Sequence, residues 1–295
     1  MHQRPIFTLF FSLFSLMSIH AQVTTASGFT FFPKLTRNQE NKGKFYLYWG
    51  YNRSKFLRSD IHFSSPDYDF TLYDVKGTDR QSKFSLKHYF TPANFSVPQY
   101  NYRLGYFMND RWLISGGLDH MKYVVTQGQR VRMSGVISER ISSKYAGAYL
   151  LDSVTLTEDF VQFEHTNGLN LITLDFEYLQ PIAVSRSGNF KLKWNIGLGG
   201  IWVVTKTDVN LMGDGIDNDF HVAGFSLAAK TGPRIDFFKR FFFSAEFKSA
   251  YMAIPDVLIE NAAPKRADHT LIAFEWYGVV GTYFNIGNKA KASKH

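Results

Sequence analysis

The sequence predicts an all-β protein, an eight-stranded antiparallel up-and-down barrel that crosses a membrane. Three observations support this fold class: an apolar leader, eight long segments that alternate between apolar and polar side chains, and connections that alternate between short and long. A chain of 295 residues with 45% hydrophobic and 17% aromatic residues is long enough for such a barrel and too apolar for a disordered protein.

The leader has the organisation of a secretory signal peptide. Arg4 provides a positive charge, the run from Ile6 to Ile19 is apolar and uncharged, and the small residue Ala21 lies at the expected cleavage site. A membrane anchor helix is the alternative interpretation, although the run is short for one. No cysteine follows the run, so a lipoprotein anchor is excluded. We therefore expect residues 1–21 to be removed and the mature chain to be exported.

Composition excludes several other classes of function. The absence of cysteine rules out disulfide bonds, iron–sulfur clusters, thiol catalysis and cysteine-based zinc sites. The net charge of +8 is spread along the chain without a block of lysine and arginine, so we expect no nucleic-acid partner. Beyond the leader, no further run of about 18 apolar residues occurs, which argues against a helical membrane protein.

Eight segments show the period-two alternation of strands whose two faces meet different surroundings. They are residues 44–56, 97–108, 111–125, 169–181, 190–205, 221–238, 240–254 and 269–284. Each is long enough to cross a bilayer at a tilt, which takes about 9–11 residues. On one face of every segment we read a charge-free set that is rich in aromatic residues; it runs from Phe45 to Tyr51 in the first segment and from Trp112 to Leu118 in the third. The opposite face holds Arg103, Asp119, Asp175, Glu177, Lys193, Lys230, Arg234, Asp236, Glu246, Lys248 and Glu275.

The aromatic residues indicate which face points inward. A soluble β-protein, the alternative, would direct the apolar face inward, but eight strands leave little internal room for bulky rings. Trp112 and Phe241 lie beside short turns, whereas Tyr100, Trp202 and Tyr251 lie near the other strand ends. This arrangement is typical of the two aromatic girdles of a membrane barrel. We therefore predict that the rings face lipid and that the charged residues form a paired interior network.

The connections supply an independent observation. Short turns are expected at Asn109-Asp110, at 185–189 and at Phe238-Lys239, whereas the other connections, 57–96, 126–168, 206–220 and 255–268, are long. Membrane barrels have short turns on the periplasmic side and longer loops outside. In the first long connection, Tyr68–Val75 and 82–89 are expected to pair as an external hairpin; if they crossed the membrane instead, the barrel would have ten strands. Pro233 predicts a bulge near the periplasmic rim, because proline cannot donate to a ladder.

With this pattern and its closing strand, the chain resembles the small outer-membrane barrels of Gram-negative bacteria, of the OmpA transmembrane-domain type. The resemblance covers residues 44–284 and includes the sequence Leu271-x-Ala273…Tyr283-Phe284, whose aromatic end is similar to the signal read by the barrel-assembly machinery. It implies an outer-membrane location and contact with outer-membrane lipids. Residues 22–43 and 285–295 are then expected to be periplasmic segments.

Two sets of polar residues in the loops are candidate binding sites. In the first long loop, His62, Asp69, Asp79 and Arg80 interleave with apolar residues, which predicts either a ligand site at the barrel mouth or a packed loop with internal salt bridges. In the third loop, carboxylates lie beside glycines, and calcium is the one cofactor considered; a plain acidic turn is the alternative. The carboxylates are Asp214, Asp217 and Asp219.

A third set bears on catalysis. A lipid acyl hydrolase acting on lipid A or phospholipid would need a nucleophile, a histidine base and an orienting acid within hydrogen-bond reach. The candidates are Asp119, His120, His165, Thr166 and Ser134. We expect instead a structural or surface-recognition role through the long loops, with an extracellular ligand or protein as partner. A small-solute porin is the other alternative, although eight strands leave an interior filled by side chains.

Overall fold

We describe the protein from a computed structural model, which covers residues 23–24, 28–33, 40–83, 85, 87, 89, 91, 98–217, 219–259 and 265–286. The predicted signal peptide and most of the predicted C-terminal tail lie outside the described residues. The elements are β1 (Val23–Thr24), β2 (Phe29–Phe31), β3 (Phe45–Phe56), β4 (Ser59–Ser65), β5 (Tyr68–Val75), β6 (Gly77–Asp79), β7 (Tyr100–Phe107), β8 (Trp112–Val125), β9 (Arg130–Ile137), β10 (Gly147–Thr155), β11 (Val161–Ser185), β12 (Phe190–Thr205), β13 (Asp208–Leu211), β14 (Asp214–Asp217), β15 (His221–Phe237), β16 (Phe241–Leu258) and β17 (Arg266–Phe284).

Eight of these strands form a closed antiparallel ring. Its order is β3, β7, β8, β11, β12, β15, β16 and β17, and β17 pairs again with β3, where Phe284 lies opposite Phe45. Every strand therefore lies beside its neighbours along the chain, the up-and-down arrangement that the sequence predicts. The eight-stranded alternative is confirmed, and the ten-stranded one is wrong, because β4 and β5 pair beyond the ring instead of within it.

The ring is apolar outside. Side chains alternate between buried and exposed along each strand, as in β16, and the outward ones form an apolar belt. The belt consists of Leu47, Tyr102, Leu104, Tyr106, Ile114, Leu174, Phe176, Phe190, Trp194, Leu198, Trp202, Phe225, Leu227, Ile235, Phe241, Phe243, Phe247, Tyr251, Trp276 and Val280. On β16 the belt runs from Phe241 to Tyr251. A tilted strand of this length, about 9–11 residues, crosses a bilayer. Within the described part of the chain, no helix is long and apolar enough to cross a membrane.

Three tight turns lie at one end of the ring, which we call the turn side. Between β7 and β8, the side chain of Asn109 accepts hydrogen bonds from the backbone N–H groups of Arg111 and Trp112, both at 2.9 Å. Between β15 and β16, Phe238 and Lys239 have φ values of 51° and 61°, the left-handed pair that a tight hairpin requires. On the same side, β2 pairs with residues Ala183–Ser185 of β11.

The described parts of the long connections fold into a second body at the other end, which we call the loop lobe. It contains β4, β5, β6, β9, β10, β13 and β14 with the adjoining ends of β8, β11, β16 and β17. The sheet of the ring continues from β17 through β4, β5 and β9 to β10, while β6 pairs with β8 and β13 with β11. The lobe core includes Ile61, Phe63, Phe70, Leu72, Met133, Phe160 and Phe163, each at most 1% exposed.

Two local predictions are wrong. Tyr68–Val75 pairs with Ser59–Ser65 and with β9, not with residues 82–89. The reason is that Ser59–Ser65 also alternates and supplies the buried residues Ile61 and Phe63. No bulge occurs at Pro233 either: the residue lies opposite Trp194 in an unbroken register with β12, and pairing with β16 resumes in the same register at Arg234. Proline here costs a ladder bond without requiring an extra residue.

Candidate functional site: the charged interior and the loop lobe

The inward faces of the ring form a layer of charged side chains between two apolar layers. Five basic and six acidic residues point into it, and each is between 0% and 5% exposed. They are Arg103, Lys193, Lys230, Arg234 and Lys248, with Asp119, Asp175, Glu177, Asp236, Glu246 and Glu275. The near balance of charge matters, because a buried ion is tolerated when opposite charges and hydrogen bonds replace its hydration.

One cluster of the layer joins three strands. Arg103 of β7 forms an ion pair with Asp175 of β11 and donates to Thr173 at 2.9 Å. Lys230 of β15 lies 2.9 Å from Asp175 and 3.0 Å from Glu177. Arg103 and Lys230 therefore share the carboxylate of Asp175, and the cluster links strands that are not neighbours in the ring.

A second cluster lies beside the first. Lys248 of β16 pairs with Asp119 of β8 across the interior, and its Nζ is 4.0 Å from Glu275. The amide of Asn101 donates to both Asp119 and Glu275 at 2.7 Å. Hydrogen bonds of this kind satisfy the carboxylate lone pairs that a single lysine leaves open.

A third group lies on the turn side of the layer. Lys193 lies 2.6 Å from Asp236. The guanidinium of Arg234 lies over the ring of Phe242 at 4.2 Å and over that of Tyr46 at 5.1 Å. Cation–π contacts of this kind stabilise a desolvated arginine.

Both ends of the layer are closed by apolar packing. On the turn side, the inner residues are aromatic or aliphatic and at most 4% exposed; they are Tyr46, Tyr48, Phe107, Leu113, Leu179, Phe242, Tyr277 and Val279. On the loop side, the layer meets the core of the loop lobe. The described residues thus fill the interior at three successive levels, with the charged layer between two apolar ones.

The structure does not bring the candidate catalytic residues together. Asp119 points into the ring, whereas His120, the next residue, is on the outer face, where it contacts Asn170 at 2.7 Å and stacks on Tyr100. His165 is buried inside the loop lobe. Ser134 is on β9, where its hydroxyl accepts a hydrogen bond from the N–H of Leu151. The side chain of Thr166 lies outside the description.

The four candidate ligand residues separate into two pairs. His62 and Asp69 contact each other at 3.0 Å on the exposed face of the β4–β5 hairpin. Asp79 accepts a hydrogen bond at 2.8 Å from the N–H of Ser54. Its neighbour Arg80 pairs at 2.7 Å with Glu164, a largely buried carboxylate at the start of β11. These contacts are internal salt bridges and hydrogen bonds of a packed loop, and the ligand role stays a prediction.

The predicted calcium residues lie on or next to the β13–β14 hairpin. The side chains of Asp214 and Asp217 are outside the description, and Asp219 is exposed. Among the residues whose side chains are described, no group of three or more histidine or acidic residues is close enough together to hold a metal ion. Calcium binding at this turn therefore stays a prediction.

The sequence interpretation missed one polar cluster inside the loop lobe. His269 of β17 lies 2.8 Å from the hydroxyl of Ser59, and its ring centroid is 5.0 Å from that of Tyr123. His165 contacts Thr207 at 2.9 Å and stacks on His269 with centroids 6.3 Å apart. The residues of this cluster come from separate strands, so no local sequence motif indicates them. The available signal was the position of His269 on the face of β17 that points inward.

Burial keeps both histidines neutral. It lowers the pKa of His165 to about 3, because the apolar core does not solvate an imidazolium. Burial also lowers the pKa of His269 far below its usual value, and the charge that His165 would carry lowers it further. Within the described residues, Nε2 of His165 and Nδ1 of His269 have no hydrogen-bond partner. Among the described residues, no carboxylate contacts Ser59 or His269, and both side chains are buried.

Comparison with known proteins identifies no family for the chain. No protein-family model matches the chain, and no curated protein matches it. Among solved structures, the chain is similar to the outer membrane protein OprG from Pseudomonas aeruginosa, with 12% identity and a TM-score of 0.39 over 83% of this chain and 98% of that one.

Two further structures show a similarity of the same order. One is Neisserial surface protein A, with 12% identity and a TM-score of 0.32 over 82% of this chain and 100% of that one. The other is Ail, the attachment invasion locus protein of Yersinia pestis, with 11% identity and a TM-score of 0.28 over 82% and 99% of the two chains. The assignment of an eight-stranded ring rests on the strand pairing described above.

Proposed function

We propose that this protein is an integral β-barrel of an outer membrane that holds the loop lobe at the cell surface as a rigid recognition surface. The observation that carries the proposal is the packing on both sides of the charged layer. The ring is filled, and the lobe has an apolar core of its own, so the described strands of the long connections are held in one arrangement. A rigid surface binds a partner at a lower entropic cost than mobile loops do.

The exterior of the ring supports the membrane location. A closed barrel leaves no unpaired strand edge, and the outward apolar belt matches hydrocarbon in place of water. Three tight turns at one end and the loop lobe at the other support an orientation with the turns in the periplasm. Outer-membrane lipids and the barrel-assembly machinery, which would read the closing strand ending at Phe284, are the partners that this location implies.

Strand β10 supports the recognition role. It pairs with β9 alone among the described strands, and its other edge is open. Leu150 of β10 is 88% exposed, and Val136 of β9 is 54% exposed. An open edge with exposed apolar side chains is a surface to which an extended segment of another protein can add as a strand. We therefore assign the extracellular protein partner to this edge.

The two alternatives receive less support. A porin needs a continuous polar path, and the buried network with its two apolar layers weighs against one. A lipid acyl hydrolase needs its groups in contact, and Asp119, His120 and His165 point into three different surroundings.

Single cysteines test the location and the orientation, since the chain has no cysteine of its own. A membrane-impermeant maleimide applied to intact cells should label Leu150→Cys in the lobe. It should not label Ser187→Cys in the turn between β11 and β12 until the outer membrane is opened. Heat-dependent migration on a gel and fractionation with the outer membrane complete the test. If intact cells label Ser187→Cys and not Leu150→Cys, the protein has the opposite orientation. Recovery of the protein in the soluble periplasm would refute the membrane location.

A further inference from the structure

A groove interrupts the apolar belt on the outer face of β12, β15, β16, β17 and β3. Its floor consists of small residues in adjacent strands, since Gly278 lies opposite Ala245, and Thr231 follows on β15. Large rings form its walls. They are Trp194, Phe247, Trp276 and Tyr51, the last held by a hydrogen bond to the backbone carbonyl of Tyr89. The volume enclosed is about 700 Å³.

The floor is open because it lacks side chains, not because the backbone demands glycine there. A Cβ placed on Gly278 would lie 3.7 Å from the ring of Phe243, which is ordinary van der Waals contact. A larger side chain at this position would therefore extend into the groove without strain. An apolar trough of this size between flat rings fits the methylene chain of a lipid, which is flexible and makes dispersion contacts along its whole length.

Two cations of β3 lie beside the loop-side wall of the groove, and Arg53 is part of its lining. Arg53 and Lys55 are outward-facing residues of β3, opposite Trp276 and Phe274 of β17. Arg53 and Lys55 are two residues apart on the same face of β3, which is about 7 Å along the strand. Both are exposed, and among the described residues no carboxylate forms a salt bridge with either one. A pair of unneutralised cations at the edge of an apolar belt attracts lipid phosphates.

We propose that this groove is a binding site for a phosphorylated glycolipid of the outer leaflet, with one acyl chain between Trp276 and Phe247 and a phosphate on Arg53 and Lys55. The proposal rests on the orientation given above, which places the groove's cationic end at the outer leaflet. Two adjacent cations match a lipid that carries more than one phosphate better than a zwitterionic phospholipid, whose headgroup has no net charge.

Native mass spectrometry of the folded protein with lipid A, phosphatidylglycerol or phosphatidylethanolamine tests the proposal. The parent should bind lipid A in preference to both phospholipids. Gly278→Leu fills the groove and should weaken lipid A binding about tenfold, as expected for the loss of two buried methylenes. Arg53→Gln with Lys55→Gln should remove the preference for lipid A over phosphatidylethanolamine while leaving chain binding in place.

Gly116→Leu is the matched control. Gly116 also faces lipid with space around it, but it is on β8, on the far side of the ring, and its replacement should leave lipid binding unchanged. Should Gly278→Leu fail to fold, Ala245→Leu fills the same groove from the facing strand. Equal binding of all three lipids by the parent, or full retention of lipid A by a folded groove variant, overturns the proposal. The orientation is judged separately by cysteine labelling, so the two failures are distinguishable.

Discussion

The hydroxyl of Ser59 and the imidazole of His269 are in contact at 2.8 Å inside an apolar core, and both belong to the loop lobe and not to the ring. His165 stacks on the same imidazole. The ring of Tyr123 contacts both His165 and His269. The core of the lobe therefore contains two uncharged histidines, His165 and His269.

These histidines should make the lobe sensitive to acid. The unfolded chain binds protons with a pKa near 6.5, whereas burial lowers the folded pKa of His165 to about 3. The free energy of unfolding is therefore unaffected above pH 6.5 and falls as the pH decreases from 6.5 towards 3, by up to about 1.4 kcal/mol per pH unit for each histidine. We expect the lobe to become protease-sensitive near pH 4.5 while the ring keeps its heat-dependent gel migration.

The control for this prediction is an exposed histidine. Replacement of His165 by Phe should flatten the dependence on pH, and His62→Gln should leave it as in the parent, since His62 lies on the exposed face of β4. Identical pH profiles for the parent and His165→Phe would contradict the explanation.

The outward face of the ring should not accept a charge. Leu198 is 53% exposed within the belt, and Leu198→Arg places a guanidinium in hydrocarbon at a cost of about 2–4 kcal/mol near the midplane. The fraction of protein that reaches the heat-modifiable form in vesicles should fall. Leu150→Arg in the lobe should assemble like the parent, because Leu150 is 88% exposed on β10. Normal assembly of Leu198→Arg would mean that this face does not contact lipid.

The charged layer should be sensitive to the loss of one member. Lys248→Met leaves Asp119 with Arg103, 3.5 Å away, as its remaining cation, and we expect a loss of about 3 kcal/mol in urea unfolding from vesicles. Adding Asp119→Asn should restore part of the stability by removing the unpaired charge. Lys144→Met serves as the control: it breaks an exposed pair with Asp159 and should leave the unfolding midpoint unchanged. A midpoint for Lys248→Met equal to that of the control would argue against a tightly coupled network.

The lobe should unfold separately from the ring. Phe70 is fully buried between Phe63 and Phe160, with ring centroids 5.1 Å and 6.1 Å away. Phe70→Ala should cost the lobe about 3–5 kcal/mol through the cavity it leaves. Limited proteolysis should then cut residues 59–75 while the ring stays folded on a gel. If the ring loses its folded form on the gel when the lobe becomes sensitive to protease, the lobe and the ring fold as one cooperative unit.

The sequence determined the ring. Alternation along eight long segments predicted the eight strands of the ring and the charged residues that point inward, because side chains alternate between the two faces of a strand with a period of two residues. Short turn sequences located three of the hairpins. Strand β12, residues 190–205, was located at both ends, since a tight turn and the end of the apolar alternation mark its limits. The alternation of side chains along each strand also predicted which residues form the charged layer. It did not predict which of them pair with each other.

Only the tertiary structure decided how the long connections pack and which polar groups meet. Ser59 and His269 are 210 positions apart, and no local pattern indicates that β4 continues the ring beside β17. Contacts between distant strands depend on register and on the shape of the lobe core, and these are properties of the packed molecule. For the same reason, the candidate residues in the first loop did not come together, since His62 and Asp69 contact each other while Asp79 and Arg80 have other partners. The groove around Gly278 became visible only once five strands lay side by side.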